Sequence, residues 1–146
     1  MNTNYLLTIL DEAYDKRSWH GPNLRGALRG VTAKQAAWRP AEGAHNIWEY
    51  ALHAAYWKYV VMRKIMRAKR GSFALKGSNF FPRPIELSET AWKQDLKILE
   101  VTHQDLRGAV AHLNPAAPER LLHMIRGAAA HDLYHAGQIR LLRRLL

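Results

Sequence analysis

The chain has 146 residues, 48% of them hydrophobic, with 22 Lys and Arg against 12 Asp and Glu and no cysteine. That length supports a core burying roughly 68–70% of the unfolded surface, and the apolar fraction excludes a disordered chain. Without cysteine there is no disulfide scaffold, no thiolate zinc finger, no iron–sulfur centre and no thiol nucleophile.

The first predicted helix, about 3–17, carries Tyr5, Leu6, Ile9, Leu10 and Ala13 at helical spacing. Asp11, Glu12 and Asp15 interrupt it, and no basic segment precedes it, so it reads as neither a signal peptide nor an anchor. A connector with Gly21, Pro22, Gly26 and Gly30 follows. Thr32 and Gln35 form a capping box for a short helix over 33–38, which Pro40 stops. Asn46 with Glu49 caps the second long helix, about 47–69, and Gly71 is expected to end it.

Residues 71–87 hold two Gly and two Pro and read as a loop. Ser88 with Glu89 starts the third long helix, about 89–112, with Ala91, Trp92, Leu96, Leu99 and Leu106 on one side. NPAAP at 114–118 breaks the chain, and Pro118 suits the first turn of the fourth long helix, which runs from about 119 to the end. Nothing alternates like a strand. The expected fold is all-α, a four-helix bundle with one short extra helix, as a single domain over 1–146. No apolar run reaches 18 residues, so no membrane-spanning helix is expected and a cytoplasmic location is.

Eight histidines are the informative feature. His20, His45, His103, His112 and His123 lie at helix ends or on faces shared with polar residues and read as surface imidazoles. His131 and His135 are spaced i, i+4, so both rings project from one face, which continues through Met124, Ala128, Gln138 and Leu142. Two imidazoles on an apolar stripe are either core histidines bonded to carbonyls or water, or half of a divalent metal site. A third ligand must come from a facing helix, and His53, within EYALHAAYWKY, is the candidate. Three histidines leave one coordination position open for water or substrate.

The segment GAAAHDLYHAGQI at 127–139 resembles the C-terminal signature of the DinB-like superfamily. HNIWEYALHAAYWKYVV at 45–61 is similar to that family's second-helix motif, and SWHGPNL at 18–24 and AAWRPAEGAHNIWE at 36–49 resemble a recurring branch. The resemblance implies a four-helix bundle, often a homodimer, in which His53, His131 and His135 hold a divalent metal. A small-molecule substrate is the expected partner. Some members of the superfamily are bacillithiol transferases and mycothiol-dependent isomerases, in which the metal favours a thiolate.

The expected activity is therefore a metal-dependent hydrolase or thiol S-transferase, with Zn, Ni or Fe and a low-molecular-weight thiol as candidate cofactors. A bundle that holds metal without turnover is the alternative. Glu49 and Asp132 are candidates to orient the imidazoles, or else plain surface carboxylates. Tyr134 and Gln138 are candidates for the mouth of the site, and His20 for an approach from the connector. The net charge of +10 invites anionic partners. No nucleic-acid-binding motif accompanies it, which argues against a nucleic-acid module. Arg140, Arg143 and Arg144 either meet an anionic substrate tail or only complement the dipole of the last helix. Trp19, Trp92 and the Phe80–Phe81 pair are expected to form an apolar patch for dimerisation.

Overall fold

The computed structural model describes residues 2–146. Helix α1 spans Thr3–Tyr14, α2 Leu24–Leu28, α3 Ala33–Ala37, α4 Ile47–Ile65, α5 Glu89–Ala111 and α6 Glu119–Leu145. The four long helices close a ring in which α1 packs on α6, α6 on α4, α4 on α5 and α5 on α1. The short α2 lies on α6, and α3 lies against α4 and α5. The all-α bundle is the fold expected, with one helix more: α2 forms inside the Gly-containing connector. Its start is set by Asn23, whose side chain accepts from the Gly26 N–H at 3.0 Å.

Side-chain caps fix where the bundle helices begin. Asn46 and Glu49 form a reciprocal capping box on α4, Thr32 and Gln35 another on α3, and the Ser88 side chain caps α5 at the Ala91 N–H. Pro118 occupies the cap position of α6, one residue ahead of its first turn.

The end of α4 departs from the sequence reading. The helix stops at Ile65, not near Gly71, because Arg67 takes the left-handed backbone position at φ 54°. The Ala68 N–H donates to Arg63 O at 2.9 Å and the Arg67 N–H to Lys64 O at 3.4 Å, the paired bonds of a Schellman turn. A non-glycine residue does the work usually given to Gly, so the glycine signal misplaced the boundary.

The core has two apolar clusters, one around Trp48, Leu52, Leu99 and Ile139, the other around Leu10, Leu106, Val110 and Ile125. Between them, α4, α5 and α6 contribute the buried polar residues Lys58, His103 and Asp132, which meet one another. Lys58 Nζ donates to Asp132 Oδ2 and to His103 Nδ1, and the His103 ring stacks on Tyr14 at 3.8 Å. His103 is thus a core residue, not the surface imidazole its polar neighbours suggested.

The expected apolar patch does not form. Trp92 and Phe81 are buried, and Trp92 Nε1 donates to Val31 O at 2.8 Å. Only Trp19 of that group is fully exposed. No helix among the described residues is long and apolar enough to cross a membrane.

Candidate metal centre

His53 lies on the second turn of α4 and turns inward, with only its edge reaching solvent. The loop between α4 and α5 returns over it. Asn79 sits there in the left-handed region at φ 67°, and its carbonyl accepts the His53 Nδ1–H at 3.0 Å. One turn along α4, Trp57 Nε1 donates to the Asn79 side-chain oxygen at 3.0 Å, so α4 grips this loop residue twice. Phe80 then stacks on His53, with centroids 3.9 Å apart and planes 8° from parallel, and also stacks on His45 at 3.6 Å.

From α6 the i, i+4 pair faces the same point. His131 Nε2 is 3.1 Å from His53 Nε2 and 3.0 Å from His135 Nε2. The ring planes differ by 46° to 89°, so the nitrogens meet edge-first without stacking. The His135 Nδ1–H donates to Gln138 Oε1 at 2.6 Å.

The proton count decides what this cluster suits. A carbonyl oxygen can only accept, so the bonds to Asn79 and Gln138 put the single proton of neutral His53 and His135 on Nδ1. Both Nε2 atoms are then bare lone pairs, and His131 can offer at most one N–H between them. Three nitrogens cannot satisfy one another; a cation satisfies all three. Burial pushes all three imidazoles below their ordinary pKa, His53 to about 4 and His131 to about 3, which keeps them neutral as ligation requires. Tetrahedral ligation at about 2.0–2.1 Å separates nitrogens by roughly 3.3 Å, close to the two separations that His131 makes. His53, His131 and His135 could hold a metal ion.

The other predicted site residues scatter. Gln138 is at the centre, orienting His135 from behind. Tyr134 is 66% exposed, with its ring edge-on to His135 at 5.1 Å, so it borders the site. Glu49 does not touch an imidazole of the cluster. Its carboxylate accepts from Arg39 at 2.6 and 2.8 Å, from His45 Nδ1 at 2.9 Å and from the Arg83 N–H at 3.0 Å, tying the connector and the loop to α4. Asp132 points into the bundle interior and is taken by Lys58. His20 is exposed in the connector, whereas the rings around the centre are those of Tyr50, Trp57, Phe80 and Tyr134. Arg143 donates to Ala27 O at 2.8 Å and Arg29 O at 3.0 Å, so it holds α2 against α6.

Asn79, Trp57 and Phe80 escaped the sequence reading. Trp57 carried a signal, its i+4 spacing from His53, whereas Asn79 and Phe80 lie in a loop whose path no periodicity gives. A second acid–imidazole group, Asp11, Asp15 and His103, is already occupied by protein cations. Arg107 takes both oxygens of Asp11 at 2.7 and 3.0 Å, and Arg25 approaches Asp15 at 3.6 Å.

An all-α bundle with three converging imidazoles from two facing helices is the class of protein these features define. Residues 17–139 match the family profile of the DinB superfamily, and that stretch includes all three histidines. The chain belongs to the DinB superfamily. Searches of curated proteins and of solved structures give no match.

Proposed function

We propose that the chain is a metal-dependent enzyme, a hydrolase or thiol S-transferase acting on a small molecule, with His53, His131 and His135 as ligands of one divalent transition metal. The observation that carries the reading is the convergence of three Nε2 atoms, that of His131 lying 3.1 Å from His53 and 3.0 Å from His135, with too few protons to satisfy them. When bound, a divalent ion in a three-histidine set lowers the pKa of a water or thiol at its open position and so supplies a nucleophile near neutral pH. Zn, Ni and Fe all suit imidazole nitrogen.

The chain's own residues prepare that position. Asn79 O and Gln138 Oε1 lock the tautomers of His53 and His135 so that Nε2 faces inward. Phe80 covers one face of His53, and Tyr50, 5.2 Å from His135, lies beside the pair, so the ligands are flanked by rings that exclude bulk water. Tyr134, on the exposed side of His135, is placed to meet an incoming substrate. A cytoplasmic location and a symmetric homodimer are part of the same proposal.

The test is elemental analysis of protein purified without a nickel column, followed by assay of the loaded protein with thiols and electrophiles. About one ion per chain and turnover with one such pair support the reading. Absence of stoichiometric metal after incubation with Zn, Ni and Fe salts overturns it.

A further inference from the structure

Residues 50–85 contain eight Lys and Arg and no Asp or Glu, whereas the other 110 residues together carry a net charge of only +2. The fold gathers half of those eight cations, Arg63, Lys64, Arg70 and Lys76, around one concavity of about 770 Å³ between the C-terminal half of α4 and the loop that follows. That volume lies within the range of small-molecule sites, roughly 300–1,000 Å³.

Its lining is aromatic as well as basic. Tyr56, Tyr59 and Phe73 form a contiguous group with centroids 5.3–6.2 Å apart, and Trp57 supplies a further wall. Among the described residues, none of the four cations lies within 4.0 Å of a carboxylate. Arg63 has a partner of another kind, the Ala68 carbonyl at 3.2 Å. Cations at the end of α4 complement the helix dipole, which accounts for Arg63 and Lys64. It does not account for Arg70 and Lys76, which lie beyond the helix and line the same concavity. Four unneutralised charges focused over a low-dielectric aromatic wall make a site for a negative ligand.

We propose that this concavity binds a small organic anion, with a flat apolar ring against Tyr56 and Phe73 and a phosphate or carboxylate among Lys64, Arg70 and Lys76. The site adjoins the histidine cluster: the Trp57 ring that lines it lies 6.5 Å from His53 and 6.4 Å from His131. That the bound anion reacts at the histidines rests on the metal reading above; that it binds does not. The pocket selects a small ligand over nucleic acid because its cations converge in a hollow and do not run along a ridge.

The probe is phenyl phosphate, titrated calorimetrically into the full chain beside phenol and inorganic phosphate. Phenyl phosphate should saturate one site per chain, with phenol and phosphate each weaker by about tenfold or more, since each lacks one half of the recognition. The triple variant Lys64→Gln, Arg70→Gln, Lys76→Gln changes exposed side chains only, and its far-UV circular dichroism should match the parent's. Its affinity for phenyl phosphate should fall about tenfold or more. No saturation by phenyl phosphate, equal affinity in the triple variant, or inorganic phosphate binding as tightly as phenyl phosphate would each overturn the proposal. So would duplex DNA that outcompetes phenyl phosphate on the parent and fails to bind the triple variant. Chelator treatment separates this inference from the metal reading. Unchanged phenyl phosphate binding supports the pocket whether or not metal is found, and loss of binding on chelation assigns the anion to the metal and removes it from the pocket.

Discussion

Lys58 and Asp132 form an ion pair in the centre of the bundle, each side chain only 1% exposed, on the two helices that carry the three histidines. Asp132 sits between His131 and His135 in sequence, yet its carboxylate is bonded by Lys58 and by neither imidazole. His103 accepts from the same ammonium at 3.2 Å, so one lysine joins three helices. Burial raises the pKa of Asp132, and the neighbouring ammonium works against that rise.

Removing one partner of this pair strands the other. Lys58→Met is expected to destabilise the fold by about 3–5 kcal/mol, because it leaves a buried carboxylate without its cation. Lys58→Met combined with Asp132→Leu should recover much of that loss. Urea unfolding of the three proteins decides it, and a Lys58→Met midpoint equal to the parent's rejects the pair as a structural element.

Metal content should follow the geometry residue by residue. His53→Ala, His131→Ala and His135→Ala are each expected to lose the ion, whereas His112→Ala, whose ring only bonds the Gly108 carbonyl, should keep it. Gln138→Leu removes the acceptor that fixes the His135 tautomer and should weaken metal binding about 10–100-fold. Full occupancy in His131→Ala would sink the site as drawn.

The three-histidine cluster was legible because helical spacing is a strong code. An i, i+4 pair on an apolar stripe shares a face whatever the tertiary context, and His53 stood out as a polar residue in an apolar helix. The helix starts were legible for the same reason: Asn46 and Ser88 cap by local bonds. What supports the cluster was not. Asn79 reaches His53 across 26 residues through a loop, and its role lies in a backbone carbonyl, which no residue type announces. Asp132 misled because Lys58, buried on α4, takes its carboxylate, so lying within a turn of His135 did not mean bonding it. Arg143 misled because α2, unforeseen in the connector, supplied the carbonyls that hold it.

Glu49 should make the fold acid-sensitive. Its burial alone would raise its pKa, but the bonds from Arg39, the Arg83 N–H and His45 outweigh that and lower it from 4.5 to about 2. A carboxylate with a depressed folded pKa contributes stability that is fully present above its unfolded value and is lost as pH falls from 4.5 towards 2. The shift corresponds to roughly 3 kcal/mol. Urea midpoints of parent and Glu49→Gln, compared at about pH 6 and again near the lower end of that window, test it. The gap between the two proteins should be wide at the higher pH and nearly closed at the lower, and a constant gap would refute the assignment.

The proposed homodimer has a candidate seam on α6. Tyr134, Leu141 and Leu145 are 66%, 59% and 56% exposed. Their spacing of i, i+7 and i+11 places them on one side of the helix, with the exposed Gly137 between them. A self-complementary stripe of this kind suits a two-fold axis that lays α6 of one protomer along α6 of its partner. Because Tyr134 borders His135, such a seam would run beside the histidine cluster and narrow its mouth. Light scattering at micromolar concentration should then give twice 16.8 kDa for the parent. Leu141→Lys with Leu145→Lys should give the single mass with unchanged metal content, since neither side chain touches a ligand. A parent mass of 16.8 kDa rejects the dimer, and a double variant that stays dimeric moves the seam off α6.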